Sequence, residues 1–84
     1  MQNAFPEIDV HGMTKAQALT AIDAKLRRAD GGVYRLRVIH GFNRGNRIQS
    51  GIYRELGKGL HPKVLRIEGG DNPGVTELIL KEWY

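Results

Sequence analysis

Cysteine is absent from this 84-residue chain, so neither a disulfide framework nor a thiolate metal centre supplements its core. A zinc finger or a knottin is excluded. No apolar run approaches the ~20 residues that span a bilayer, and the opening segment, Met1 to Gly12, has no positive start followed by an apolar stretch. The expectation is a soluble, cytoplasmic protein with no membrane partner. Below the ~150 residues usual for a domain there is room for only one, spanning residues 1–84 with its core from about 7 to 82. Aromatic residues are few, at 7%, yet 40% hydrophobic and 26% charged residues are the proportions of a folded globular domain.

Acidic residues are nearly missing from the middle of the chain. Residues 1–33 carry four basic and four acidic side chains, residues 34–66 carry eight and one, and residues 67–84 carry one and four. The excess positive charge therefore lies in the central third, as Arg35, Arg37, Arg44, Arg47, Arg54, Lys58, Lys63 and Arg66. Six of these eight are arginine, whose planar fork suits phosphate oxygens, so nucleic acid and an ordinary solvated face are about equally good readings of the charge alone.

Glycine and proline clusters divide the chain into six short elements. Glu7 to His11 alternates as a strand, with Ile8 and Val10 on one face and Asp9 and His11 on the other. Thr14 and Gln17 form a capping box, and Ala18, Leu19, Ile22, Leu26 and Ala29 make the apolar stripe of a helix. Val33 to His40 is a second strand with Tyr34, Leu36 and Val38 on one side and Arg35 and Arg37 on the other. Gly41 to Asn46 is a loop, after which Ile48, Ile52 and Leu56 recur at helical spacing. Gly51 inside that helix costs roughly 1 kcal/mol against alanine, which implies either a close packing contact or a marginal helix. Lys63 to Glu68 and Val75 to about Trp83 are strands paired antiparallel through the Gly69 to Gly74 turn. The order β-α-β-α-β-β, with right-handed crossovers, predicts an α/β two-layer sandwich: a mixed four-stranded sheet with both helices on one face.

Three groups of residues carry candidate chemistry. Asp9 and His11, two apart on a strand, can address one substrate, the carboxylate holding one imidazole tautomer so that the ring serves as a base. The structural alternative is that Asp9 caps the adjoining turn and His11 faces water. His40 ends the second strand, and parallel first and second strands bring their C-terminal ends to one edge, where open α/β sheets place ligands. It is either an acid/base partner of His11 or a buried ring bonded to a backbone carbonyl. The Gly41 to Gly45 loop, with Asn43, runs into a helix start that can hold a phosphate or simply turn the chain. Asn72 and Gly74 supply turn geometry, with Asp71 as a further carboxylate nearby. Phe42, Tyr53, Trp83 and Tyr84 are the aromatic side chains available for stacking on bases. No Asp/Glu cluster stands at two-cation spacing and His11, His40 and His61 have no zinc spacing, so no cofactor is evident, while a divalent cation stays open.

Ile8-Asp9-Val10-His11-Gly12 before a capped helix, Val38-Ile39-His40-Gly41 at the end of the next strand and Asn72-Pro73-Gly74-Val75-Thr76 before the last one resemble, in order, the motifs of the small MutS-related (Smr) domain. The resemblance runs from about Glu7 to Leu80, and the chain resembles short stand-alone members. It implies a β-α-β-α-β-β sandwich similar to the C-terminal domain of translation initiation factor three. It also implies nuclease activity at the Asp-x-His element, here Asp9 and His11, of low sequence specificity on DNA or RNA, in DNA repair or recombination. Many members carry Gly-Lys-Gly after the second strand; here Gly41-Phe42-Asn43-Arg44-Gly45 stands there, with Arg44 or Arg47 as the substitute cation. The site expected is Asp9, His11 and His40 for catalysis, Gly41, Asn43, Arg44, Gly45, Arg47, Arg35 and Arg37 for nucleic acid, and Gly12, Asn72 and Gly74 for loop geometry. The alternative is a module that docks on nucleic acid or the ribosome without cleaving.

Overall fold

The computed structural model describes residues 3–42, 45–57 and 59–82. In chain order its elements are β1 (Glu7–Asp9), α1 (Lys15–Arg28), β2 (Arg35–Ile39), α2 (Arg47–Leu56), β3 (Arg66–Gly69) and β4 (Val75–Ile79). They form one four-stranded sheet in the order β1-β2-β4-β3, with β1 parallel to β2 and β4 antiparallel to both its neighbours. The expected mixed sheet and element order are those of the molecule. No helix among the described residues is long and apolar enough to cross a membrane.

α1 begins where the sequence puts its cap. Thr14 Oγ1 accepts from the Gln17 amide at 3.1 Å, and Gln17 Oε1 accepts from the Thr14 amide at 3.1 Å, satisfying two donors the helix itself leaves unpaired. Ala18, Ile22 and Leu26 then bury one stripe against Ile52 and Leu56 of α2 and against Ile8, Leu36, Val38, Ile67 and Leu78 of the sheet. Both helices therefore cover the same sheet face. The strict two-residue period of the strands sends Arg35, Arg37 and Glu77 to the other face.

Strand ends depart from the sequence expectation at six places: β2 ends at Ile39 and not His40, β3 at Gly69 and not Glu68, and the other four have the local reasons that follow. β1 stops at Asp9, not His11, because Gly12 (φ +80°) turns the chain and the Met13 amide bonds back to the Val10 carbonyl. β2 starts at Arg35, since the Tyr34 amide donates to Ala4 across a 2.8 Å bond outside the ladder. β3 starts at Arg66 instead of Lys63, because His61 folds a turn: its Nδ1 accepts from the Lys63 amide at 3.0 Å and its carbonyl from Val64 at 3.1 Å. β4 ends at Ile79, after which the Leu80 and Lys81 amides both donate to the Tyr34 carbonyl. Trp83, the end expected for this strand, lies outside the described residues, as do Asn43, Arg44, Lys58 and Tyr84.

The uncovered sheet face is an ion-pair lattice. Arg37 donates to Glu7 at 3.0 Å and to Asp71 at 2.9 Å, Arg35 to Glu77 at 2.9 Å, and Arg66 to Glu68 at 2.8 Å and to Glu82. Its arginines are cationic in sequence and compensated in space.

Candidate functional site

Parallel pairing of β1 with β2 brings their C-terminal ends side by side, so the residues after each strand meet at one edge. Here a groove of about 950 Å³ opens between the β1–α1 turn, the end of β2 and the first two turns of α2, its lining including His11, Lys15, Gly41, Arg47 and Arg54. All three sequence motifs converge at this edge. Gly41 adopts φ +75°, a left-handed conformation that side chains resist, and a β-carbon there would stand 3.6 Å from His11 Cβ. The His40 and Gly41 amides both donate to the Gly74 carbonyl, at 2.9 and 3.0 Å, tying the end of β2 to the turn before β4. Asn72 Oδ1 accepts from the Gly74 amide at 2.9 Å and shapes that turn.

Asp9 and His11 are joined directly. Asp9 Oδ1 accepts from His11 Nδ1 at 2.5 Å and from the His11 amide at 3.1 Å, although His11 lies one residue into the turn and not on the strand. With Nδ1 donating, Nε2 is the nitrogen that stays free to take a proton. The two side chains are 52% and 70% exposed, so the pair stands open to a macromolecule. The bond from the imidazole, and after it the backbone bond, hold the Asp9 carboxyl below its ordinary range.

His40 has the other geometry anticipated for it. It is 7% exposed; its Nδ1 donates to the Gly41 carbonyl at 2.7 Å, which fixes Nε2 as the acceptor from the Thr76 hydroxyl at 2.7 Å. Both nitrogens face internal partners, and the ring braces the edge on which His11 stands.

Arg35 and Arg37 are not brought to the groove. They lie on the opposite sheet face in the lattice described above. Arg47 and Gly45 do line the groove. Lys15 and Arg54, neither of them anticipated as site residues, join them, and none of Lys15, Arg47 and Arg54 has a carboxylate partner among the described residues. Two signals pointed to them. Arg54 is seven residues beyond Arg47, hence on the same side of α2 two turns later. Gly51 has the close contact its placement implies: a β-carbon there would lie 2.9 Å from Lys15 Cδ and 3.0 Å from Cγ, so the lysine stem crosses α2 through the space the glycine leaves.

The family model of the Smr domain matches residues 8–76, which takes in all three motifs. Among solved structures, the chain is similar to the Smr domain of Thermus thermophilus MutS2, at 28% identity and a TM-score of 0.77, over 92% of this chain and 99% of that one. No curated protein matches it. A shared fold over nearly the whole length, together with the ordered motifs at one sheet edge, means that the chain belongs to the Smr domain family.

Proposed function

We propose that the protein binds a nucleic-acid strand in the groove and cleaves its phosphodiester backbone with low sequence specificity, Asp9 and His11 carrying the chemistry. The observation that supports this reading is the exposed Asp9–His11 pair, bonded at 2.5 Å, whose His11 lines a groove in which the cations Lys15, Arg47 and Arg54 have no carboxylate partner among the described residues. Phosphates follow the cations, and sequence independence follows from phosphate contact. RNA is chemically the nearer substrate because its 2′-hydroxyl supplies the nucleophile. His11 Nε2 takes the 2′-hydroxyl proton as the 2′-oxygen bonds to phosphorus. The bond from phosphorus to the 5′-oxygen breaks, and that oxygen takes a proton from water, leaving a cyclic phosphate. Asp9 holds the tautomer and balances the imidazolium that forms, while the groove cations offset charge on the phosphoryl oxygens. On DNA the same base acts on water.

Docking without cleavage, on structured RNA or the ribosome, is the second reading. It draws on His40, which lines the groove but has both ring nitrogens engaged by internal partners, so that His11 has no second imidazole nitrogen free to share the chemistry. Incubating the protein with labelled single-stranded and duplex DNA and RNA, in EDTA and in magnesium, separates the two. Shortened strands support cleavage and report any need for a divalent cation; intact strands that bind in a salt-dependent way support docking.

A further inference from the structure

Phe42 follows Gly41 at the rim of this edge and is 59% exposed, the most of any aromatic side chain among the described residues. Phe5, also exposed, rests on Tyr34 with ring centroids 6.2 Å apart, whereas Phe42 has no aromatic neighbour among the described residues. Its ring is nonetheless seated: a β-carbon on Gly74 would come within 3.4 Å of Phe42 Cδ1 and 3.2 Å of Gly41 Cα, so the bare turn backbone supports the ring while much of it stays in solvent. The same Gly41 also adjoins His11. An apolar ring kept in water, one residue beyond a glycine that lines the electropositive groove and adjoins His11, does little for folding. It has the attributes of a stacking surface for a flat apolar ligand that arrives attached to phosphates.

We propose that Phe42 is the stacking platform for one unpaired nucleobase next to the Asp9–His11 pair, so that the site selects single-stranded or unpaired nucleotides over continuous duplex. This rests on the groove being the nucleic-acid site and adds the substrate class. A base inside a duplex has both faces covered by its neighbours and cannot offer one to Phe42 without leaving the stack. Stacking also differs from phosphate contact in its salt response, because no counterion is released when two rings meet.

The test is equilibrium binding of a single-stranded oligonucleotide carrying 2-aminopurine, and of the matched duplex, across a salt series. It compares the wild-type protein with Phe42→Leu, Phe42→Trp and the double variant Arg47→Ala/Arg54→Ala. The proposal expects 2-aminopurine fluorescence to change on binding the single strand. Phe42→Leu weakens single-strand affinity about tenfold or more with an unaltered salt slope and leaves duplex affinity unchanged, and Phe42→Trp retains the wild-type preference. The arginine double variant weakens both strands and flattens the slope. Equal loss on single strand and duplex with Phe42→Leu, or no loss on either, overturns the platform while the groove stands. An unchanged arginine double variant, or a wild-type protein that binds neither strand, overturns the groove reading and the platform with it.

Discussion

Replacing His40 by alanine leaves the Thr76 hydroxyl and the Gly41 carbonyl without the buried partner that each has at 2.7 Å. Orphaned buried polar groups and the cavity together cost about 2 to 3 kcal/mol, measurable as a lowered urea midpoint at unchanged slope. His11→Ala removes an exposed ring and leaves the stability within about 0.5 kcal/mol of wild type. Equal destabilisation by the two would mean that His11 is as structural as His40. Acid exposes a second residue-scale property. His61 first, and then Arg27, hold the Asp23 carboxyl below its ordinary value, as His11 does for Asp9. A carboxylate whose folded pKa is depressed contributes stability that is full above its unfolded value of 3.8 and is lost as pH falls through the folded value. The urea midpoint should therefore fall with pH below about 4, and Asp23→Asn should flatten that limb; a limb unchanged by the substitution would assign it to other carboxylates.

Among the elements, α2 holds the most informative glycine. Alanine at position 51 favours the helix by about 1 kcal/mol, but its β-carbon would meet the Lys15 stem at 2.9 Å. The stem is flexible and swings aside, so Gly51→Ala should keep or slightly raise stability while weakening nucleic-acid binding to the extent that Lys15→Ala does, with the salt slope on duplex DNA lower by about 0.9. Full affinity in Gly51→Ala would separate the glycine from the lysine's placement. The glycine was conspicuous in the sequence because it interrupts the Ile48, Ile52, Leu56 stripe; the residue that fills its space, in another helix, was not. The same division recurs along the chain. α1 was legible from Thr14 and Gln17 because both halves of a capping box are local. The start of β3 was not, because it depends on how the His61 ring and carbonyl turn the backbone. Asp9 and His11 were legible as a pair by strand parity, yet they meet through a turn bond to the shared Asp9 oxygen, which periodicity does not encode.

For the whole molecule, charge in sequence and charge in space differ. Arg35, Arg37 and Arg66 belong to the basic central third, and their carboxylate partners Glu7, Glu68, Asp71, Glu77 and Glu82 come from the first and last thirds. Only folding reveals that pairing, and it leaves Lys15, Arg47 and Arg54 on the groove side without a carboxylate partner among the described residues. Neutralising Lys15, Arg47 and Arg54 together should lower the salt slope on duplex DNA by about 2 to 3. Neutralising Arg35 and Arg37 should leave affinity and slope nearly unchanged, with a stability loss of about 0 to 1 kcal/mol per exposed pair. The reverse outcome in a filter-binding or anisotropy titration would place nucleic acid on the open sheet face. Whether a strand lying in the groove is cut by Asp9 and His11 is decided by single-turnover cleavage of an end-labelled single-stranded RNA by wild type, Asp9→Asn and His11→Ala, each with its affinity for the same strand. The account predicts cleavage by wild type, a smaller loss in Asp9→Asn, and a loss of about 100- to 10,000-fold in His11→Ala with affinity and fold retained. Cleavage by His11→Ala at the wild-type rate would contradict it.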